Sequence, residues 1–399
     1  MKVYILTGEP FPNGMAATNR IKCYARAINE GGLDCEVIVF RRTEVYGKEP
    51  KNTKGEGEYH EVPFRYIGGT PLRGSNVFIR QINDRIDVLR TEDYLRKHLT
   101  KGDILFLYIG TNVEIMLKFM KVAHKKGAFC VRDLCELPYG TGIKNGKKIQ
   151  LREKVLNEQF PQLDGIISIS DALQNLAKKY SQPLCRYMKV PIMVDFDNYY
   201  LPDRSEKAEV PYIFHSGTLY QQKDGILGMI EAFGIALRKT GLPAKLISTG
   251  DLNMSPHKDE INDLIAKYHL DNHVFFTGYI SDNELKDYLS KAQMVIINKY
   301  RTQQNHYCFS TKLGEYLAAA KPVIITNVGE VMNWLENGKS AYIVESEDAE
   351  ALANAIVHIF TNPKESHLIG IAGQKVCRQC FDYHNWSQPL VVFFSQLGK

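Results

Sequence analysis

The segment Tyr307–Glu330 of this 399-residue chain joins a polar start to a nearly featureless apolar helix. Its first part, YCFSTKLGE, carries Ser310, Thr311 and Lys312, and the part that follows predicts a small-residue helix and a buried strand. If Ser310 or Thr311 caps that helix, the free amides of its first turn can bind an anion. Glu315, one turn further, suits a pair of ribose hydroxyls better than a phosphate. The pattern therefore predicts a nucleotide-binding helix end.

Two other loops carry residue types that suit a phosphorylated ligand. In HSGTLYQQKDG, Gly217 permits close approach of the backbone, Thr218 offers a hydroxyl, and Lys223 stands just before a helix, where an ammonium group suits a diphosphate. In FFTGYISDNEL, Gly278 ends a strand and Tyr279 can stack on a planar base. Each loop taken alone is better explained as an ordinary strand–turn–helix connection.

Alternating strand and helix patterns occur twice and indicate two domains. Apolar strands and amphipathic helices fill residues 1–195, an aperiodic stretch covers about residues 195–211, and the alternation restarts over residues 211–382. The predicted fold class is α/β, with two Rossmann-like doubly wound parallel-sheet domains facing a cleft, where the carboxyl ends of strands bind ligands. The aromatic tail, residues 383–399, is expected to pack back on the first domain; a helix confined to the second domain is the alternative.

The composition of the chain limits the classes of function and the cellular location that can be expected. The 50 basic and 45 acidic residues give a net charge of +5, too small and too dispersed to indicate a nucleic-acid surface. The sequence shows neither a signal peptide nor a membrane span, so a cytoplasmic protein is expected. The eight cysteines are scattered, and the closest pair, Cys377 and Cys380, lacks a second pair for zinc, so no metal site is predicted.

Taken in order, the motifs G-T-x-x-x-x-K-D-G-I, F-x-G-Y-I-x-x-x-E-L and F-S-T-K-L-x-E-Y-L-A-x-x-K-P-V-I carry a resemblance. The chain resembles the retaining glycosyltransferases of family 4, which have the GT-B fold, and particularly the bacterial enzymes of surface polysaccharide synthesis. The resemblance implies that Lys223 binds the donor diphosphate and that Glu315 holds the donor ribose. It also implies that the backbone of Phe309–Lys312 cradles phosphate, and that Gly14 lets the first domain close against the leaving group.

Two departures from the family pattern concern the donor. The usual arginine of the first motif is replaced near Thr218, and the first glutamate of the E-x7-E motif falls on Tyr307. On the acceptor side, the segment RDLCELPYG points to Asp133 and Glu136, with loop carboxylates tied to backbone amides as an almost equally good explanation.

The resulting hypothesis is a metal-independent glycosyltransferase without a cofactor other than its nucleotide-sugar co-substrate. It would move a sugar to a glycan or lipid-linked acceptor, with retention of configuration. A nucleotide-sugar epimerase and a non-catalytic nucleotide-sugar-binding subunit are the alternatives. The segment NVFIRQINDRIDVLRTEDYLRKH mixes apolar residues with arginines and could lie on an anionic membrane at the inner face, although an amphipathic helix packed on the sheet is the favoured prediction.

Overall fold

Two mainly parallel β-sheets, one in each half of the chain, organise this computed structural model, which describes residues 1–108, 112–140, 146–201 and 208–398. The chain divides into two units: Met1–Val194 with Tyr383–Lys399, and Asp195–Asp382. Both sheets are covered by helices that connect parallel strands. The predicted α/β class is therefore confirmed.

The first unit contains an eight-stranded sheet in the order β3-β4-β2-β1-β5-β6-β7-β8, parallel except for the β3–β4 pair. Its strands are β1 Lys2–Thr7, β2 Asp34–Val39, β3 Glu56–Tyr59, β4 Val62–Tyr66, β5 Ile104–Tyr108, β6 Phe129–Leu134, β7 Gly165–Ser168 and β8 Arg186–Lys189. Its helices up to the end of this sheet are α1 Ala16–Glu30, α2 Val77–His98, α3 Val113–Lys125, α4 Gly146–Lys154 and α5 Asp171–Tyr180.

The apolar runs form the central strands because a parallel sheet is covered on both faces. All five residues of β5 are buried, and on α1 the predicted inward residues Ile21, Tyr24, Ala25 and Ile28 are fully buried. The ring of Tyr24 meets Phe106 of β5 edge-on at 4.9 Å between centroids. Helical periodicity thus identified the face of α1 that covers the sheet.

The β3–β4 hairpin was not predicted. Its turn places His60 and Glu61 at φ of 46° and 64°, in the left-handed region that hairpin turns usually fill with Asn-Gly. Because EYHEVPF lacks that turn signal, the sequence pattern gave no reason to expect two paired strands.

The favoured prediction for α2, an amphipathic helix packed on the sheet through its apolar residues, is wrong. The residues of α2 that are buried are Asp87, Thr91 and Leu95, whereas the apolar residues of its first three turns are exposed. A polar pair holds the helix in this orientation, since the buried carboxylate of Asp87 lies 3.4 Å from Nε of Arg42.

The second unit contains a six-stranded parallel sheet in the order β11-β10-β9-β12-β13-β14. Its strands are β9 Tyr212–His215, β10 Lys245–Ser248, β11 Val274–Phe276, β12 Met294–Ile297, β13 Val323–Thr326 and β14 Tyr342–Val344. Its helices are α6 Phe196–Tyr199, α7 Gln221–Asp224, α8 Ile226–Thr240, α9 Lys258–Tyr268, α10 Asp282–Lys291, α11 Gln303–Tyr307, α12 Lys312–Ala318, α13 Val331–Trp334, α14 Ala349–Thr361 and α15 Pro363–Val376.

The last helix, α16 (Ser387–Ser395), lies in the first unit. Leu390, Phe393 and Phe394 are buried in that unit's core, and a Cβ on Gly165 of β7 would come within 2.9 Å of the Phe393 ring. Burial of these aromatic side chains makes the tail part of the first core. Among the described residues, no helix has both the length and the apolar character needed to cross a bilayer.

We expect Phe394→Ala to lower the free energy of unfolding by about 3–5 kcal/mol, because it leaves a cavity in the first core. The control is Val392→Ala on the exposed side of the same helix, with an expected change within about 0.5 kcal/mol. Urea denaturation checks both variants. Equal midpoints would show that α16 adds nothing to the core.

Candidate active site

Polar side chains gather at the carboxyl edge of the second sheet, where β9, β10 and β12 end. The hydroxyl of buried Tyr316 on α12 accepts from the backbone N–H of Ser216 at 2.8 Å and lies 3.0 Å from its Oγ. The loop after β9 is also tied to the loop after β10, because the N–H of Gly217 donates to Oγ1 of Thr249 at 3.1 Å. These bonds join the loop after β9 both to α12 and to the loop after β10.

Asp224, the last residue of α7, is the centre of this edge. One carboxylate oxygen pairs with Nζ of Lys312 and lies 3.8 Å from Nε2 of His215. The other oxygen accepts from the N–H and the hydroxyl of Thr218 at 2.9 and 2.8 Å. Despite its burial, the cation of Lys312 holds the pKa of Asp224 well below its usual range. Asp224 is therefore a buried, charged anchor for Lys312.

His215 is fully buried beside this pair and stays neutral. Burial lowers the pKa of His215, and the nearby charge of Lys312 lowers it further. Its Nδ1 lies 2.9 Å from Oγ of Ser248, and its Nε2 lies 3.5 Å from Nζ of Lys312. A neutral ring satisfies both contacts, since one nitrogen can donate while the other accepts.

Lys299, which follows β12, brings a second cation to the same place. Burial lowers the pKa of Lys299, and repulsion by Lys312 and Lys223 adds to this effect, while Asp224 opposes it. Its Nζ lies 3.4 Å from Oδ1 of Asn305, whose amide donates to backbone carbonyls of the α7 and β12 loops. Three lysines thus lie within electrostatic reach of one carboxylate, and positive charge is in excess.

Gly217 is required by the closeness of this cluster. A Cβ at position 217 would lie 2.3 Å from Cε1 of His215 and 2.8 Å from Nζ of Lys312. Gly225 has a comparable role: its φ is 59°, and a Cβ there would lie 2.3 Å from the carbonyl oxygen of Asn298. Larger residues would push the loops away from the lysines.

The residues predicted from the first two motifs lie at the carboxyl edge of the second sheet, but Lys223 is more exposed than the prediction implied. Thr218 bonds to Asp224, as described above, and Lys223 on α7 is exposed rather than central. Gly278 has a φ of 72°, and Tyr279 is largely exposed at the end of β11, the edge strand two positions from β9.

The third motif surrounds the start of α12, but this helix lacks the side-chain N-cap bond that the sequence predicted. Thr311 is the N-cap residue, yet it has helical backbone angles and its side chain makes no capping bond. Ser310 is buried, and Phe309 packs edge-on against Phe381, so the side chain of Phe309 belongs to the core. Glu315 is partly buried one turn beyond Lys312, and Tyr307 ends α11.

His215, Asp224 and Lys299 were not predicted. Asp224 lies next to Lys223 in the quoted motif, so its position was available, but its partner Lys312 is 88 residues away. Lys299 could have been identified from the sequence, because it follows the carboxyl end of the buried strand β12. For His215, which ends a strand, only the tertiary neighbours distinguish a site residue from a core histidine.

Asp133 corrects the acceptor-side prediction. It lies on β6, fully buried, and its carboxylate receives Nε and Nη2 of Arg20 at 3.2 and 3.0 Å and the hydroxyl of Tyr24 at 2.6 Å. Arg20 also donates to the carbonyls of Val190 and Pro191. The carboxylate therefore joins α1 to the sheet and has no room for an acceptor.

Glu136, in contrast, is exposed beyond the end of β6. Burial raises the pKa of Glu9, which follows β1; Arg41 counters this effect, and the charge of Glu136 adds to it. Glu9 and Glu136 are thus electrostatic neighbours at the carboxyl edge of the first sheet. Gly14 lies in the loop before α1, where a Cβ would come within 1.9 Å of Oγ1 of Thr18.

One group of possible metal ligands occurs in the described part of the chain, away from these residues: His124, Cys130 and Asp164. Cys130 is fully buried, and burial raises the pKa of its thiol well above the usual range. Asp164 already accepts from the N–H of Cys130 at 2.7 Å and lies 3.1 Å from Nε2 of His124. A neutral thiol in a satisfied polar cluster does not favour a metal.

We expect Asp133→Asn to destabilise the protein by about 3–5 kcal/mol, because it leaves the guanidinium of Arg20 buried without a counter-charge. The matched control is Asp93→Asn, which removes the exposed Lys97–Asp93 pair and should cost less than about 1 kcal/mol. Denaturant unfolding measures both. An Asp133→Asn protein with unchanged stability but no transfer activity would restore the acceptor-side role.

The neutral state of His215 predicts a pH dependence. Because its folded pKa is lowered, the unfolded chain takes up a proton first as the pH falls below about 6.5, and stability contributed by the neutral ring is lost. His215→Gln should make the thermal midpoint fall less steeply between about pH 7.5 and 5 than in the native protein. The exposed His367→Gln is the control. Parallel pH profiles for all three proteins would contradict the assignment.

Residues 201–376 match the family model described as glycosyl transferases group 1. No curated protein matches the chain. Among solved structures, sucrose-phosphate synthase from Thermosynechococcus elongatus superposes with a TM-score of 0.75 at 17% identity, covering 99% of this chain and 98% of that one.

Two further similar structures contain nucleotide. Anabaena HepE in complex with UDP and glucose gives a TM-score of 0.70 at 15% identity, covering 99% of both chains. A mutant of S. aureus TarM in complex with fondaparinux, α-GlcNAc-glycerol and UDP gives 0.71 at 13% identity, covering 99% of this chain and all of that one. At these identities the likeness shows the fold, and the family match shows the activity class. The chain is therefore a glycosyltransferase of the GT-B fold, with a group 1 glycosyl transferase domain in its second half.

Proposed function

We propose that this chain transfers a sugar from a nucleoside-diphosphate sugar, with UDP as the nucleotide, to a glycan or lipid-linked acceptor. The observation that carries the proposal is the gathering of cations at the carboxyl edge of the second sheet: Lys312 pairs with Asp224, and Lys299 lies within electrostatic range of Lys312 and Lys223. The bound UDP in HepE and TarM supports the choice of nucleotide.

A bound diphosphate would neutralise the positive charge at this edge. Lys312 is held by Asp224 with its ammonium group close to the backbone of Gly217. Burial and nearby like charges lower the pKa of Lys299, and an added phosphate would favour its charged form. Backbone N–H groups near Ser310 and Thr311 add neutral donors. Glu315, one turn along α12, would accept from the ribose hydroxyls.

These groups would act on the leaving group rather than on the acceptor. In the transferring step the bond between the anomeric carbon and the diphosphate oxygen breaks, and a bond from the acceptor oxygen to that carbon forms. The acceptor proton passes to the departing diphosphate, which would preserve the anomeric configuration, as the family resemblance implies. Lysines fixed before the reaction stabilise the negative charge as it develops and need no reorganisation.

The acceptor would bind to the first unit. Its most suitable polar groups are Glu136 and Glu9, two electrostatic neighbours at the carboxyl edge of the first sheet, of which burial raises the pKa of Glu9. Because Tyr307 stands where the family has a glutamate for the donor sugar, we propose that the sugar is contacted by other groups in this protein. Action of the enzyme on the cytoplasmic side, at the inner membrane face, would follow from a lipid-linked acceptor.

The test compares UDP and UDP-glucose binding by calorimetry in paired variants. Lys312→Gln should weaken UDP binding about ten- to hundredfold, since a charge-assisted hydrogen bond is worth about 1.5–3 kcal/mol. Because this change strands the buried Asp224, Asp224→Asn with Lys312→Gln is measured as well; it removes both charges and should fold normally while still losing affinity. Lys223→Gln, whose side chain is exposed, should have a smaller effect.

The control is Lys339→Gln, an exposed lysine of the same unit. Undiminished UDP binding by the folded double variant would overturn the donor site. A second measurement is transfer or hydrolysis across UDP-sugar donors: release of an epimerised nucleotide sugar would indicate an epimerase, and binding without turnover of any donor would indicate a binding subunit.

A further inference from the structure

Helix α2 carries an apolar stripe on its solvent side. Phe78, Ile82, Ile86 and Leu89 follow one another at intervals of four, four and three residues, which places them on one helical face. Their exposed fractions are 77%, 56%, 38% and 63%. Val77 and Ile79 are also exposed beside the stripe. Single exposed apolar side chains are ordinary, but a contiguous stripe marks an interaction surface.

The opposite face of α2 explains why the stripe cannot turn inward. Asp87, Thr91 and Leu95 face the sheet side; the hydroxyl of Thr91 donates to the carbonyl of Asp87 at 2.7 Å, and Arg42 pairs with the Asp87 carboxylate. Rotation of the helix to bury the stripe would separate Arg42 from Asp87. It would also expose Thr91 and Leu95, which are now buried. The outward direction of the stripe is therefore built into the fold.

Further exposed apolar residues lie outside the helix. Leu72 lies before α2, is exposed and forms an isolated parallel β-bridge with Glu44. The two residues that follow Glu44, Val45 and Tyr46, are also exposed. An ion pair between Arg73 and Asp84, 3.2 Å apart, holds the segment containing Leu72 beside the first turns of α2.

Arginines border the stripe on both sides. At 100° per residue, Arg85 lies on one side of the Phe78–Leu89 line and Arg90 on the other, while Arg80 lies nearer the sheet. Within the described ranges, no carboxylate lies within ion-pair distance of Arg80 or Arg85, and Arg90 approaches only the buried Asp87, at 3.7 Å. An apolar stripe with a cationic border is typical of helices that lie in the headgroup region of a membrane.

We propose that α2 docks the enzyme on an anionic lipid surface. The stripe enters the boundary between headgroups and acyl chains, and the flanking arginines contact lipid phosphates. A second copy of the chain fits less well, because a two-fold interface uses the same surface on both copies and would bring the arginine borders of the two stripes together. Docking does not depend on the donor site, so it can be tested separately from sugar transfer.

The experiment is co-sedimentation of the full chain with vesicles of phosphatidylcholine alone or mixed with phosphatidylglycerol. We expect binding to the mixed vesicles, weakened by salt, and weaker binding to the neutral ones. Phe78→Ser with Leu89→Ser should reduce partitioning about tenfold or more. Arg85→Gln with Arg90→Gln should reduce binding to the mixed vesicles only. The matched control is Leu184→Ser, since Leu184 is an exposed apolar residue elsewhere in the first unit.

UDP binding by each variant shows that it is folded and that the donor site is intact. The proposal is overturned if the native protein does not sediment with either kind of vesicle, or if the Phe78 and Leu89 changes leave sedimentation unaltered. It is also overturned if sedimentation velocity shows a dimer that those changes abolish, because the stripe would then be a surface between copies.

Discussion

The carboxylate of Asp224 is the constraint on which the donor end of this enzyme depends. Lys312 and Lys299 lie close together beside a neutral His215, an arrangement in which burial and repulsion oppose the charged forms. A buried cation needs a counter-charge, and Asp224 supplies one while bonding to Thr218. Because one carboxylate serves several lysines, positive charge remains for a ligand to neutralise.

The positions of the site residues are well defined because these residues follow the ends of strands and because glycines let the loops pack closely. Gly217 and Gly225 bring two loops closer than any side chain would allow, and the hydroxyl of Tyr316 joins one of these loops to α12. Under the proposed function, lysines placed in this way would stabilise a departing diphosphate without rearrangement, which is the condition for electrostatic catalysis. Lys312 is fixed beside Asp224, whereas Lys223 on α7 is exposed.

A buried polar pair also decides the behaviour of α2 in the first unit. Arg42 and Asp87 hold that helix with its polar side inward, which leaves Phe78 and its apolar neighbours in solvent. For an ordinary soluble helix this orientation would be a liability. Under the proposal that α2 docks on a lipid surface, this orientation leaves the apolar stripe free to meet the headgroups.

The sequence by itself determined the two alternating α/β halves and the inward face of α1, because these follow from short-range periodicity. It also placed the three motif loops after strands, and therefore at the carboxyl edge of the second sheet. Only the tertiary structure decided that Asp133 pairs with Arg20 and that Asp224 pairs with Lys312, since these partners are 113 and 88 residues apart. Periodicity shows which side of an element is apolar, but not which charge will face it.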